Sequence, residues 1–276
     1  MHSWQLELYN KPVFRLSGLK TKNNAPEIVC LHGWLDNAMS FQPLMQAFPE
    51  YSIHALDLPG HGQSDHLPNM IPAYSMAQVA FILNDYLKTL NTPIVLMAHS
   101  LGAGLASLVA ALFPQQIKAL VLLDNVIPIP NDDLAMTPLK KLALVKSKPA
   151  NTYASFDKAV EARCKYGVSK DIAHLLAQRS VSENEQGTFY WHHDPRLLYP
   201  SLGYFSTPDV HDIVTQVQQP VLYFYGDWDY RYEDRMRAAN SIQNIHMVKV
   251  SGDHYFHMRT PQLLRDIIKS FLANNI

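Results

Sequence analysis

Four short, nearly continuous apolar runs occupy the first half of the chain, and each leads into turn chemistry: Glu27-Ile-Val-Cys-Leu-His32, Ser52-Ile-His-Ala-Leu-Asp57, Pro93-Ile-Val-Leu-Met-Ala98 and Lys118-Ala-Leu-Val-Leu-Leu-Asp124. Runs without polar alternation suit strands buried on both faces, as in a parallel sheet. Residues 76–90 and 101–113 lie between them and carry apolar side chains at helical spacing. Strand–helix alternation implies right-handed crossovers and an open α/β sheet. An antiparallel start is expected from Leu6-Glu-Leu-Tyr9 and Val13-Phe-Arg-Leu16.

The alternation stops after Asp124. Residues 126–216 show no strong strand but several helical stretches, among them 159–166 and 171–178, with many aromatics. Strand character returns at Pro220-Val-Leu-Tyr-Phe-Tyr225 and His246-Met-Val-Lys-Val250. A last helix follows over 261–272, with Pro261 in its first turn and Thr260 as its cap. A chain of 276 residues can bury one large core with a modest insertion. The expected organisation is therefore a core in two parts, 1–125 and 217–276, around an inserted helical cap, 126–216.

Ala98-His-Ser-Leu-Gly102 stands between a predicted buried strand and a predicted helix. A serine on so tight a turn needs small residues two positions to either side, because the backbones there nearly touch. Ala98 and Gly102 satisfy this, and Ala103, Gly104 and Ala106 let the helix lie close to the sheet. The turn would lift Ser100 to the carboxyl edge of the sheet as a nucleophile. The backbone N–H of Leu101 would then stand where an oxyanion forms. A second donor is expected from an earlier strand end, where Leu31-His-Gly-Trp34 offers the Trp34 N–H and Gly33 permits the bend.

Such a serine needs a base and an acid to orient it. Tyr225-Gly-Asp-Trp-Asp229 brings two carboxylates after a strand, and Ser251-Gly-Asp-His254 brings an imidazole after the last one. Imidazole suits the base because its pKa lies near neutrality.

Taken together, His32-Gly-Trp, Asp57-Leu-Pro-Gly-His-Gly-Gln-Ser64, Ala98-His-Ser-Leu-Gly102, Gly226-Asp-Trp-Asp229 and Gly252-Asp-His254 resemble the α/β-hydrolase superfamily. More narrowly, Leu31-His-Gly-Trp-Leu-Asp-Asn37, Trp191-His-His-Asp-Pro-Arg196 and His254-Tyr-Phe-His-Met258 resemble the serine hydrolase-like proteins. The resemblance implies the α/β-hydrolase fold and selects Asp229 over Asp227 as the acid. It also leaves Asp124 in view, since some members take their acid from that strand end.

The expected chemistry is acyl transfer on a small or medium apolar ester: His254 deprotonates Ser100, Asp229 orients His254, and the Trp34 and Leu101 N–H groups hold the oxyanion. It calls for no metal and no organic cofactor. Rival readings are carbon–carbon bond hydrolysis or perhydrolysis with the same triad, or a ligand receptor on this fold. Aspartate replaces the serine in the usual dehalogenases and epoxide hydrolases, which disfavours both.

Other conspicuous residues have plainer roles. His257 and His99 are read as structural, Asp57 and His61 as scaffold, and Asp194-Pro-Arg196 as a contact holding the cap. His192-His193-Asp194 lacks the spacing of a zinc site. Charge is balanced, with 23 Lys plus Arg against 24 Asp plus Glu, so no basic surplus points to nucleic acid. No apolar stretch approaches the roughly 20 residues of a membrane span, and the first residues do not read as a secretory leader. The two cysteines, Cys30 and Cys164, fit reduced thiols and a cytoplasmic setting.

Overall fold

The computed structural model describes residues 1–8, 14–133, 136–146, 151–228 and 231–276. An antiparallel pair opens the chain, β1 (His2–Leu8) and β2 (Phe14–Lys20), although Tyr9 and Val13 of the expected start lie outside the described residues. There follow β3 (Ile28–Leu31), a 3-10 turn (Ala38–Phe41), α1 (Gln42–Ala47), β4 (Ile53–Asp57), α2 (Met76–Lys88), β5 (Ile94–His99), α3 (Leu101–Leu112) and β6 (Ile117–Leu123). The next stretch holds α4 (Met136–Ala143), β7 (Thr152–Tyr153), α5 (Phe156–Cys164), α6 (Lys170–Ser180), β8 (Val181–Glu183), β9 (Phe189–Trp191) and α7 (Thr207–Thr215). The chain closes through β10 (Val221–Tyr225), α8 (Tyr232–Ala239), β11 (Ile245–Lys249), α9 (Phe256–Arg259) and α10 (Pro261–Asn275).

Eight strands form one sheet in the order β1-β2-β4-β3-β5-β6-β10-β11. β2 pairs antiparallel with β1 and β4, and every pair from β4 across to β11 is parallel. The apolar runs are continuous because both faces are covered. Along β5, Val95 and Met97 enter one core with Leu44, Ile172 and Ile268, while Ile94, Leu96 and Ala98 enter the other with Leu83, Leu105 and Val214. The order reverses at β3, whose neighbours β4 and β5 lie on opposite sides. In open α/β sheets the crevice at the carboxyl ends of the strands flanking such a reversal is where ligands bind.

The segment between β6 and β10 is not purely helical. β7, β9 and β8 form a small antiparallel sheet, which the sequence did not announce because runs of two or three residues carry no measurable alternation. α5 and α6 sit on the first core through Val160, Ile172 and Leu176, whereas α7 packs into the second through Val210 and Val214. A capping box of Ser75 with Gln78 starts α2, and Ser206 with Asp209 starts α7. Thr260 stands at the N-cap of α10 but makes no side-chain cap; its hydroxyl turns back to donate to the Phe256 carbonyl at 2.9 Å. Cys30, in β3, and Cys164 are free thiols. Among the described residues no helix is long and apolar enough to cross a membrane.

Candidate active site

Ser100 lies between β5 and α3 with φ 54° and ψ −117°, a conformation that costs a non-glycine residue about 1–3 kcal/mol. Its surroundings impose it. The Ser100 N–H donates to the Leu123 carbonyl at 3.0 Å, and its own carbonyl accepts from the Asn125 side chain at 3.0 Å and from the Ala103 N–H at 3.0 Å. Gly102 presses against the end of β3, where a Cβ would stand 2.3 Å from the Leu31 carbonyl oxygen. As the first residue of α3, Leu101 has an N–H with no intrahelical acceptor.

His254 follows β11, and its Nδ1 forms a short hydrogen bond with Oδ2 of Asp124, the residue just after β6. With Nδ1–H given to the carboxylate, the lone pair remains on Nε2. Asp124 is 1% exposed and has φ 65°; its N–H donates to the Phe224 carbonyl, and the Arg235 guanidinium reaches to 3.9 Å of its Oδ1. β5 and β6 are neighbours with His99 opposite Leu123, so Ser100 and Asp124 leave the sheet side by side. Asp229 lies outside the described residues. Asp227 faces solvent and pairs with Lys249 at 2.7 Å, which holds its carboxyl below the usual range.

The Gly33–Asp36 turn completes the site, closed by the Asp36 N–H donating to the Gly33 carbonyl at 3.1 Å. Gly33 is needed for room: a Cβ there would lie 3.0 Å from Asp36 Oδ2, 3.1 Å from His99 Nδ1 and 3.3 Å from the Ser100 Cβ. The left-handed residue of the turn is Leu35, at φ 59°. Leu35, Ser100 and Asp124 are the non-glycine residues with positive φ among those described, so backbone strain concentrates at one edge of the sheet.

Beside this edge runs a cleft of about 350 Å³, within the usual range for small-molecule sites. Its walls include Trp34, Leu101, Leu105, Val79, Met76 and Phe205, and it opens to solvent at the half-exposed Trp34, Ile129 and Tyr204. Of the aromatics between β6 and β10, Tyr199, Tyr204 and Phe205 line the cleft, whereas Tyr153, Phe156 and Trp191 pack on the first core. Arg196 also borders the cleft, but its five N–H donors go to Asp194 and to the carbonyls of Leu67, Pro68 and Ile71.

His99, His257 and His61 are structural in their contacts. His99 is fully buried and its Nε2–H donates to the His254 carbonyl at 2.8 Å; burial, then the neighbouring His257 and His254, hold its pKa well below the usual value. His257 is equally buried, bonds Ser40 at 2.9 Å and is pushed down to about 3 by burial. Asp57 accepts from the Ala38 and Gln63 N–H groups and from Arg179 of α6. His61 donates from Nδ1 to the Pro59 carbonyl. Among the described residues no group of three acidic, histidine or cysteine side chains could hold a metal ion. The pairs Asp36–Arg163 and Asp57–Arg179 were not foreseen, because nothing in sequence links residues more than a hundred positions apart.

The family model described as alpha/beta hydrolase fold matches residues 26–258. The chain belongs to that family. Among curated α/β-hydrolase relatives it is similar to a serine hydrolase-like protein of Dictyostelium discoideum, at 28% identity over 91% of this chain and 76% of the relative. A serine hydrolase-like protein of Danio rerio is 27% identical over 89% and 81%. A pimeloyl-[acyl-carrier protein] methyl ester esterase of Chromobacterium violaceum is 26% identical over 76% and 79%. Among solved structures, a hypothetical protein from Pseudomonas aeruginosa superposes with a TM-score of 0.87 at 28% identity, covering 98% of this chain and 99% of that one.

Proposed function

We propose that this α/β-hydrolase is a serine esterase that cleaves neutral, mainly apolar carboxylic esters through an acyl-enzyme. The observation that carries the reading is the strained Ser100 on its strand–helix turn, with the buried Asp124 at the neighbouring strand end in contact with Nδ1 of His254. His254 Nε2 takes the Ser100 proton as Oγ attacks the ester carbonyl. The Trp34 and Leu101 N–H groups receive the negative charge on the carbonyl oxygen. His254 then protonates the leaving alkoxide, and a water activated by the same nitrogen releases the acid and restores Ser100.

In this reading Asp124 is the acid that orients His254, because among the described residues its carboxylate is in contact with Nδ1. Asp229, the acid the family resemblance implies, is its rival and is separated by mutation below. Residues 126–216 serve as the cap, with Tyr199, Tyr204 and Phe205 forming one wall of the cleft. The apolar walls and the saturated Arg196 support an uncharged substrate, and the Chromobacterium relative's name supports an ester. The test is a labelled fluorophosphonate followed by an ester panel run beside a diketone and a peroxide arm. Wild type should be labelled at Ser100 and favour esters. Ser100→Ala should fold, lose labelling and lose several orders of magnitude in turnover. Labelling on another serine, or preference for the diketone, sinks the proposal.

A further inference from the structure

Arg163 stands in the last turn of α5, far in sequence from the catalytic segments, yet it is 6% exposed and sits behind the oxyanion turn. Its Nη2 donates to Asp36 Oδ1 at 2.8 Å, with longer contacts of 3.4 Å to the Trp34 carbonyl and 3.5 Å to the Tyr255 hydroxyl. Tyr255 reaches the same Asp36 oxygen at 3.4 Å. One guanidinium thus touches both flanks of Leu35, the left-handed residue of the turn, and the side chain next to His254.

We propose that Arg163 is a positioning residue for ester hydrolysis: it holds the Trp34–Asp36 turn in its strained form so that the Trp34 N–H faces the developing oxyanion. The proposal rests on the acyl-transfer reading. A non-glycine residue at positive φ reverts to a relaxed backbone unless its neighbours over-determine it. Here the determinants are the turn's own 3.1 Å hydrogen bond and the clamp from α5. Relaxation at Leu35 would turn the Trp34–Leu35 peptide whose carbonyl Arg163 contacts, and the compensating change in the Trp34 dihedrals would carry the preceding Gly33–Trp34 peptide, with the Trp34 N–H, away from the site beside Ser100. The side-chain walls of the cleft would be little disturbed, because the Trp34 indole has its own anchor, an Nε1–H donated to the Leu197 carbonyl at 3.0 Å. Arginine is suited to the task because its rigid, planar guanidinium holds the one nitrogen that makes these contacts, Nη2, at a fixed place, which a lysine ammonium on a flexible stem does less well.

The experiment compares wild type, Arg163→Lys and Arg163→Met on one p-nitrophenyl ester. It adds the affinities of an alkyl boronic acid, which forms a tetrahedral adduct on the serine, and of the free aliphatic alcohol, which only occupies the cleft. Removing one oxyanion donor lowers kcat by about 10²–10³-fold, so Arg163→Met should lose about 10²-fold and Arg163→Lys about tenfold. KM and alcohol affinity should stay within about twofold, and boronate affinity should fall in step with kcat, since only tetrahedral species load the oxyanion donors. A merely structural role would not separate these readouts. Should Arg163→Met fail to fold, Arg163→Lys decides alone. Wild-type kcat in Arg163→Lys, or a loss confined to KM, overturns the proposal. Ser100→Ala on the same ester separates the two failures: retained turnover there overturns the acyl-transfer reading itself.

Discussion

Acidification from about pH 7 to about pH 5 should destabilise this fold through four imidazoles shut inside it. His32, His61, His99 and His257 are each at most 3% exposed. Burial, the largest cause in each case, lowers His32 to about 4 and His257 to about 3, and takes His61 and His99 well below the ordinary value. His32 shows why the neutral form is needed: its Nε2 accepts the Leu58 N–H at 3.0 Å, which an imidazolium cannot do. In the unfolded chain each histidine takes a proton near pH 6.5. The stability from keeping them neutral is therefore complete above pH 6.5 and drains away as pH falls toward the folded values. Between pH 7 and pH 5, His32 and His257 each forfeit about 2 kcal/mol. Those two together come to about 4 kcal/mol, a large share of the roughly 5–15 kcal/mol that holds a domain folded, and His61 and His99 add to the loss in the same direction. Asp36 works the other way, since burial raises its carboxyl despite Arg163, and offsets part of the loss. Urea unfolding followed by tryptophan fluorescence at several pH values measures the slope directly. His257→Asn should lower that slope by about 1.4 kcal/mol per pH unit, whatever it does to stability at pH 7. Equal unfolding free energies at pH 5 and pH 7 would refute the reasoning.

Two substitutions test the geometry of the site itself. Asp124→Asn keeps the size but removes the charge beside His254 Nδ1 and should lower kcat by about 10⁴, with Asp229→Asn far milder; the reverse ranking in steady-state kinetics returns the acid role to Asp229. Gly102→Ala would drive a methyl to 2.3 Å from the Leu31 carbonyl oxygen, so a loss of about 1–3 kcal/mol in denaturant stability should come with a drop in fluorophosphonate labelling rate. Full stability and labelling would show that the elbow can retreat from β3.

What the sequence made legible follows from local physics. β3, β4, β5 and β6 were readable because strands buried on both faces leave unbroken apolar runs, and Ser100 because a tight strand–helix turn tolerates only small flanking residues. His254 was readable from its place after the last strand. The acid was harder: in the sequence Asp124 and Asp229 both follow apolar strand-like runs, and that pattern alone does not say which carboxylate meets Nδ1. The sequence placed the oxyanion bend at Gly33, whereas the positive φ falls at Leu35 and Gly33 supplies space. The three short strands between β6 and β10, and the ion pairs of Arg163 and Arg179, are products of tertiary contact and leave no periodic trace.

Those two arginines also bear on how molecules come and go. α5 and α6 are fastened to the sheet edge by guanidinium–carboxylate pairs at 2.8 Å and 2.7 Å, with all four side chains at most 6% exposed. Hinging these helices away would strand buried charges without partners, a penalty on the order of 3–5 kcal/mol per broken pair. Traffic through the cleft therefore runs past the half-exposed rim of Trp34, Ile129 and Tyr204 while α5 and α6 stay docked. On the proposed reading, α5 and α6 then act as fixed supports, and entry of an apolar ester is a matter of partitioning from water at that rim without displacing these two helices.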